Sequence, residues 1–220
     1  METAFVRYGT AHWIALLFTI ALSAAMVVLG RKQAGASTGE FQLFRGYVIV
    51  TILSSQLYKL IVKGALPLEM CDLTGWIAIA ALLTRHRMAL ALLYYWGLVL
   101  TPQALLTPAL EAGFPTTRFL LFFSSHAAIV AAAAYVTWGL RTRTNWRLFA
   151  QAWMVAISIA PIMMVLNRCL GTNYMFVNAK PATSSLLDVL GPWPVYVLVE
   201  LAVLGVIWAL MTLPYTLKRS

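Results

Sequence analysis

The sequence predicts an all-α, polytopic membrane protein, and three observations lead to that prediction. Of its 220 residues 61% are hydrophobic. Only 10% are charged, whereas a soluble domain of this length carries about a quarter charged residues. The mean hydropathy is +0.81, and apolar runs of about 20 residues, enough to cross a bilayer as a helix, recur along the chain. We therefore expect a single integral domain over residues 1–220, in a bacterial inner or plasma membrane.

Seven segments satisfy the length and apolarity of a transmembrane helix. They are residues 12–30, 44–64, 66–84, 88–106, 117–140, 148–170 and 194–215. The first resembles a signal peptide, but Glu2 and a single Arg7 precede it and the run continues to Gly30, so we expect an uncleaved span. Spans two and three are separated only by Ala65 and should form a tight hairpin. No internal repeat of the kind found in many transporters is visible.

Positive charge alternates between successive connections, and this alternation predicts the orientation. The first, third and fifth connections and the tail carry the clusters, with Arg31, Lys32, Arg85, Arg87, Arg141, Arg143, Arg147, Lys218 and Arg219. The other three carry one cation each, Lys63, Arg118 and Lys180. Because cytoplasmic loops are enriched in Lys and Arg, we expect the N-terminus outside and the C-terminus in the cytoplasm. The net charge of +9 thus reflects membrane topology and not nucleic-acid binding.

An unusually polar stretch opens the third span, at residues 66–76. It holds Glu69, Cys71 and Asp72, although ionisable groups at membrane depth are costly and tend to be retained for a function. At 1.5 Å per residue, Cys71 lies about 8 Å below the outer end of its span, and His126 of span five lies about 14 Å deep. Both therefore fall in the outer half of the bilayer. Since an imidazole can activate a thiol, we interpret Cys71 as a nucleophile and His126 as its base.

Each of these residues also has a structural interpretation. Cys71 could be a small buried hydrophobic residue, the commoner role of a free cysteine, or could form a disulfide with Cys169. His126 could bond to a neighbouring helix. His12, at the outer edge of the first span, is expected at the membrane interface. His86 is expected to be solvated in a cytoplasmic loop.

Span two carries a polar stripe that faces the candidate nucleophile across the predicted hairpin. Gln56, Lys59 and Lys63 share one helical face. Around a hairpin centred near Ala65, Lys59 and Asp72 fall at similar depth, which predicts a buried ion pair. The pair matters chemically, because an uncompensated Asp72 beside the thiol would disfavour its thiolate.

The long sixth connection, residues 171–193, is also expected outside and carries further polar residues. Asn173, Tyr174 and Lys180 are candidates for stabilising an oxyanion or binding a phosphate headgroup. Carboxylates and histidines are too few for a metal site, and two cysteines are too few for structural zinc, so we expect no metal and no cofactor. Glu200 in the last span is either an interhelical hydrogen-bonding group or a proton carrier in a transporter.

The sequence resembles the YwaF-like integral membrane family between spans three and seven. The motifs are LPL at 66–68 with Cys71, QALLTP at 103–108, FP at 114–115, FFSSH at 122–126, NY at 173–174, KP at 180–181, SLLD at 185–188 and GPWP at 191–194. The family is related to an animal transmembrane acyltransferase that makes polyunsaturated ether phospholipids. The resemblance implies a Cys nucleophile and a His partner, which correspond to Cys71 and His126. A more distant likeness to membrane fatty-acid-ester hydrolases would make Thr74 the nucleophile. Ala109 departs from the family pattern, in which an acidic residue is common.

These observations predict a lipid acyltransferase that acts on a membrane phospholipid or lysolipid. Cys71 would carry the acyl group as a thioester, with His126 as the base. The same site with water as acceptor would be a lipase or thioesterase. A different class of function is a small proton- or ion-coupled transporter, in which Lys59, Glu69, Asp72 and Glu200 would form the relay. The oligomeric state is not predicted by any of these features.

Overall fold

The computed structural model describes residues 4–33, 38–182 and 185–217, and helices account for most of them. The seven α-helices are α1 (Thr10–Gln33), α2 (Gly39–Leu57), α3 (Met70–Thr84), α4 (Arg87–Leu106), α5 (Thr117–Ala134), α6 (Trp146–Leu170) and α7 (Val195–Thr216). Two π-helical turns, Tyr58–Val62 and Tyr135–Gly139, extend α2 and α5, and two short 3-10 turns lie between α6 and α7. The prediction of an all-α protein is confirmed for the described residues.

Five of the helices are long and apolar enough to cross a membrane. They are α1, α4, α5 with its π-helical turn, α6 and α7. The apolar helix α3 has only 15 residues, about 22 Å, whereas the hydrocarbon core of a bilayer is about 30 Å thick. Membrane character is therefore supported, while the count of seven spans and their orientation stay predictions. Lys218 and Arg219, part of the charge pattern behind that orientation, lie outside the described residues.

Two predicted boundaries are wrong, and local chemistry explains both. The third helix begins at Met70 and not at residue 66, because Pro67 cannot donate a backbone hydrogen bond and disfavours helical geometry in the residue before it. The first connection is shorter than expected, because α1 continues to Gln33 and α2 already begins at Gly39, where the Thr38 side chain accepts a hydrogen bond from Phe41 N. Residues 34–37, within that connection, lie outside the described residues.

The chain divides into two compact units, Met1–Thr142 and Arg143–Ser220. In the first unit α5 is the central helix and packs against α1, α2, α3 and α4. Its residues 131–134 are all alanine and are at most 2% exposed. Small side chains let neighbouring backbones approach closely, which explains how one helix contacts four others. The single membrane domain expected over residues 1–220 stays a prediction.

A glycine pair joins α1 to the π-helical turn at the end of α5. A Cβ atom built on Gly30 would lie 2.7 Å from the Cα of Gly139, and one built on Gly139 would lie 3.2 Å from the Cα of Gly30. Both neighbours are backbone atoms, so neither contact can be relieved by a side-chain rotation. The two backbones can approach this closely only because both residues lack a side chain.

Replacing Gly30 with Ala is expected to lower the free energy of unfolding by about 1–3 kcal/mol, because the added methyl overpacks this contact. The matched control is Gly46→Ala in α2, where an added Cβ meets nothing within 4 Å. That change should be neutral or stabilise by up to about 1 kcal/mol, since alanine restricts the unfolded chain. Thermal unfolding of both variants in detergent makes the comparison, and equal melting temperatures would contradict the close contact.

The second unit consists of α6, α7 and the loop that joins them. The two helices pack together, and Trp153 Nε1 donates a hydrogen bond to Leu201 O at 3.3 Å. Gly205 accommodates the indole, because a Cβ at this position would lie 2.9 Å from Trp153 Nε1. The loop turns away from α6 at Gly171, which ends the helix in the left-handed conformation that favours glycine.

Candidate active site

An ion pair links the end of the second helix to the start of the third, as the hairpin geometry predicted. Lys59 Nζ lies 2.6 Å from Asp72 Oδ1 and 2.7 Å from Oδ2. The side chain of Asp72 is 6% exposed and that of Lys59 is 33% exposed. Charge-assisted hydrogen bonds of this length compensate a carboxylate that burial alone would destabilise.

The same carboxylate also organises the first turn of α3. Asp72 Oδ2 accepts a hydrogen bond from Glu69 N at 3.0 Å, and the Glu69 side chain reciprocates as the N-cap of the helix. This is a capping box, which satisfies backbone N–H groups that have no acceptor within the helix. Glu69, whose role the sequence left open, therefore acts in starting α3. Lys63, the last residue of the polar stripe of span two, is exposed.

Lys59 lies on the π-helical turn Tyr58–Val62, one turn beyond the buried side chain of Gln56. Gln56 Nε2 donates a hydrogen bond to Asp72 O at 3.2 Å, so two residues of the polar stripe contact the start of α3. Gln56 Oε1 is buried and has no hydrogen-bond partner within the described ranges of the chain. The site therefore contains one buried acceptor atom that the protein itself does not use.

Cys71 is the second residue of α3, between the two capping carboxylates, and it is partly buried. We expected Cys71 more than one turn inside a helix beginning at residue 66. Because α3 begins at Met70, the thiol lies in the first turn instead. The helix dipole favours an anion at the first turn, whereas the flanking carboxylates of Glu69 and Asp72 oppose a thiolate there. Cys71 and Cys169 are both free thiols, so the alternative of a disulfide between them is not realised in this structure.

His126 is buried in α5, with 8% of its surface exposed. Nδ1 lies 2.7 Å from Phe122 O, and the ring stacks on Phe122 with 4.1 Å between ring centroids. A carbonyl oxygen only accepts, so Nδ1 carries a proton. In the neutral ring, Nε2 then carries the lone pair with which a base takes up a proton.

The elements that carry Cys71 and His126 pack directly against each other. Helix α3 contacts α5, and both contact α2. Lys59 lies within electrostatic range of both the Cys71 thiol and the His126 ring. No hydrogen bond joins the thiol to the imidazole among residues 4–33, 38–182 and 185–217. Catalytic hydrogen bonds are often long in the absence of substrate and shorten when it binds.

The alternative nucleophile, Thr74, has a different environment. Its side chain is completely buried, and Oγ1 donates a hydrogen bond to Met70 O at 2.7 Å. This is the common bond of a threonine to the preceding turn of its own helix. The hydroxyl proton is therefore already engaged, and Cys71 is the better candidate of the two.

Asn173, Tyr174 and Lys180 belong to the second unit, whereas Cys71 and His126 belong to the first. Asn173 Oδ1 accepts hydrogen bonds from the backbone N–H groups of Asn178 and Ala179 at 3.2 and 3.1 Å. Its amide therefore shapes the loop. Lys180 Nζ lies 5.6 Å from the centre of the Tyr196 ring, a cation–π distance. The assignment of these three residues to oxyanion or headgroup binding stays a prediction.

Two residues that sequence reasoning undervalued have clear structural roles. His12 is completely buried: Nδ1 accepts from Tyr8 N at 2.9 Å, and Nε2 lies 2.8 Å from Leu105 O. Asn167 is 1% exposed; its amide donates to Tyr174 O and accepts from Tyr174 N and Thr172 Oγ1. The signal for Asn167 was available, as an amide in the last turn of a long helix whose second half is mostly apolar.

Replacing Asn167 with Leu is expected to lower the free energy of unfolding by about 2–3 kcal/mol, because it removes the hydrogen bonds from the Asn167 amide to the part-buried N–H and C=O groups of Tyr174. Proteolysis between residues 172 and 182 should accelerate accordingly. The control is Arg168→Gln at the exposed neighbouring position, which should change neither stability nor cleavage. If the loop of the Asn167 variant resists protease as well as the wild type, the amide does not hold it.

Within the part of the chain that the structure describes, no group of three or more His, Cys, Asp or Glu residues could hold a metal ion. Glu200 lies on α7 in the second unit and is partly buried. The first unit holds a free thiol, a buried imidazole and an ion-paired carboxylate on helices that contact one another.

The fold and site together define a class, a membrane-type helical protein with a charged, thiol-bearing cluster inside its helical unit. Comparison then assigns the family. The chain belongs to the TMEM164 family, which it matches over residues 7–212, a range that includes every candidate site residue. It is also similar to an uncharacterized protein of Treponema pallidum (strain Nichols), with 25% identity over 221 residues that cover 96% of this chain and 90% of that protein. No solved structure matches the chain. The YwaF-like relationship stays a prediction.

Proposed function

We propose that this protein is a membrane-embedded lipid acyltransferase in which Cys71 is the nucleophile and His126 is the general base. One observation carries the proposal: the thiol stands in the first turn of α3 beside an ion-paired carboxylate, on a helix that packs against the one carrying the buried imidazole of His126. Buried ionisable groups within a membrane protein favour a functional site over a packing role.

The first half-reaction transfers the acyl group to the enzyme. His126 Nε2 takes the proton of the Cys71 thiol, and the thiolate attacks the carbonyl carbon of a donor ester. The ester C–O bond breaks, a thioester forms on Cys71, and His126 returns the proton to the departing alcohol, which is a lysolipid when the donor is a phospholipid. The capping box already uses the N–H groups of Glu69 and Asp72, so the N–H group of Cys71 itself is the first-turn donor that would receive the oxyanion.

The second half-reaction reverses these roles with a new alcohol. The hydroxyl of an acceptor lysolipid gives its proton to His126 and attacks the thioester, and Cys71 leaves as a thiolate that His126 reprotonates. Asn173, Tyr174 and Lys180 are proposed, from the sequence alone, to contact the oxyanion or the phosphate headgroup. No cofactor or metal is required.

The proposal includes a location. In a seven-span protein of a cell membrane, with the N-terminus outside, the start of α3 faces the outer leaflet. The support is the alternation of cationic connections together with five helices of spanning length. The short α3 is compatible with such a site, because irregular backbone at membrane depth is tolerated where it lines a protein cavity or water.

The experiment is acyl transfer by the purified protein in nanodiscs, with a phospholipid carrying a labelled acyl chain and an unlabelled lysolipid. Trypsin digestion and mass spectrometry without reductant should locate a hydroxylamine-sensitive acyl group on Cys71 and none on the exposed Cys169. Labelled fatty acid without labelled phospholipid would identify a hydrolase that uses the same site. Neither product, with an unmodified Cys71, would reject the enzyme and leave the transporter alternative.

A further inference from the structure

A cationic cavity opens at the opposite end of the first unit from Cys71. It has a volume of about 480 Å³, and its lining includes Arg31, Arg85 and Arg141. Cys71 and Arg85 lie near opposite ends of α3, about 21 Å apart along the helix axis at 1.5 Å per residue. The cavity is therefore separate from the proposed active site, and nothing in the acyl-transfer mechanism uses it.

Sequence-distant segments build this cavity. Arg31 comes from the last turn of α1, Arg85 follows the last residue of α3, and Arg141 follows the π-helical turn after α5. The contact between Gly30 and Gly139 forms part of the lining and holds two of these segments together. Packing that depends on a missing side chain at two positions thus brings the three arginine-bearing segments to one cavity.

All the charged residues that line the cavity are positive. None of the lining residues is acidic, and neither Arg31 nor Arg141 has a carboxylate partner among the described residues. Arg31 donates Nε to Trp138 O at 3.3 Å, which leaves the two outer nitrogens of its guanidinium without a hydrogen bond inside the described chain. Guanidinium groups match phosphate oxygens in a planar, paired geometry.

Two of these arginines occupy backbone positions that favour glycine. Arg85 and Arg141 have φ values of 52° and 53°, in the left-handed region that favours glycine. At both positions glycine would relieve the backbone, yet both carry arginine. A cation near a helix C-terminus also stabilises the helix through its dipole. The experiment below distinguishes this effect on stability from anion binding.

We propose that this cavity binds a phosphate-bearing anion, through paired contacts from Arg31, Arg85 and Arg141. Two sources supply that chemistry, a phospholipid headgroup at the membrane surface and a soluble phosphate compound. The positive-inside pattern directs the cavity to the cytoplasmic face. The proposal does not rest on the acyltransferase assignment, since it uses none of the same residues.

The test measures two probes on the full-length protein in neutral detergent or nanodiscs. Calorimetry with sodium pyrophosphate reports the soluble source. Native mass spectrometry after incubation in phosphatidylcholine nanodiscs, with and without phosphatidylglycerol, reports a retained headgroup. Retention of phosphatidylglycerol without pyrophosphate binding would assign the site to lipid, whereas binding of pyrophosphate would show that the site accepts soluble phosphates.

Three variants and one control test which arginines bind the anion. Arg31→Gln, Arg85→Gly and Arg141→Gly should each weaken binding about tenfold or more, as loss of a charge-assisted hydrogen bond does. Arg143→Gln removes an exposed cation that is not part of the lining and should change binding by less than about twofold. Equal weakening in all four, or no binding of either probe to the wild type, would overturn the proposal.

The melting temperature of the variants distinguishes an arginine that binds phosphate from one that only stabilises its helix. Arg85→Gly should keep or raise the melting temperature, because it relieves a left-handed backbone, while phosphate binding falls. A lower melting temperature with unchanged phosphate binding would show that the arginine is structural and would reject the proposal. If a glycine variant unfolds, Arg31→Gln decides, since Arg31 lies in regular helix.

Discussion

Cys71→Ala is expected to abolish acyl transfer, and His126→Gln is expected to lower its rate by about 10²- to 10⁴-fold. Alanine removes the atom that carries the acyl group, so no thioester can form. Glutamine fills similar space but cannot accept the thiol proton at the Nε2 position, which removes general base catalysis. The measurement is transfer of a labelled acyl chain from phospholipid to lysolipid by protein in nanodiscs.

The design separates a catalytic thiol from a packing residue. Cys169→Ala removes the exposed second thiol and should leave the rate unchanged. Cys71→Ser retains nearly the same volume, so its melting temperature should match the wild type while its activity is lost. A Cys71→Ala protein that still transfers acyl groups at more than a tenth of the wild-type rate would rule out the thioester mechanism. Thr74→Val would then test the remaining nucleophile.

Lys59→Met is expected to lower the free energy of unfolding by about 2–3 kcal/mol. Removing one partner of a buried ion pair costs about 3–5 kcal/mol, because the other charge is left uncompensated. We expect somewhat less here, since the Lys59 side chain is one-third exposed. The change should also reduce acyl transfer, because the unpaired Asp72 carboxylate lies beside Cys71 and opposes its thiolate. Thermal or denaturant unfolding in detergent provides the stability measurement.

A double variant tests that explanation. Asp72→Asn keeps an oxygen that can accept the hydrogen bond from Glu69 N but carries no charge. Combined with Lys59→Met, it should recover at least half of the lost stability, and this non-additivity measures the coupling of the pair. Lys63→Met, at an exposed position on the same face, is the matched control and should change stability by less than about 0.5 kcal/mol. Additive losses would show that the two side chains act separately.

Several features could be predicted because they depend on residues close together in the chain. The apolar composition and the scarcity of charge determine an all-α membrane class, since only helices satisfy their own backbone hydrogen bonds inside lipid without closing a barrel. The ion pair of Lys59 and Asp72 could be predicted because a short connection fixes which residues of two adjacent helices lie at the same depth. The positions of Cys71 and His126 along their own helices are also set by residues close in the chain.

Other features required the tertiary structure. Pro67 gives the start of α3 at Met70 a local cause, but the capping box that places Cys71 in the first turn was not evident from the sequence. The burial of His12 depends on an acceptor 93 residues away in the sequence, Leu105 O.

The sequence by itself therefore determined the membrane class, the polar stretch around Cys71 and the partner of its acidic neighbour. Only the tertiary structure decided that α3 packs on α5, that Gly30 meets Gly139 and that three arginines line one cavity. The physical reason is that composition and helical period act within one segment, whereas a site is formed by side chains whose helices meet only after packing. Close packing depends on volumes at distant positions, which no single segment encodes.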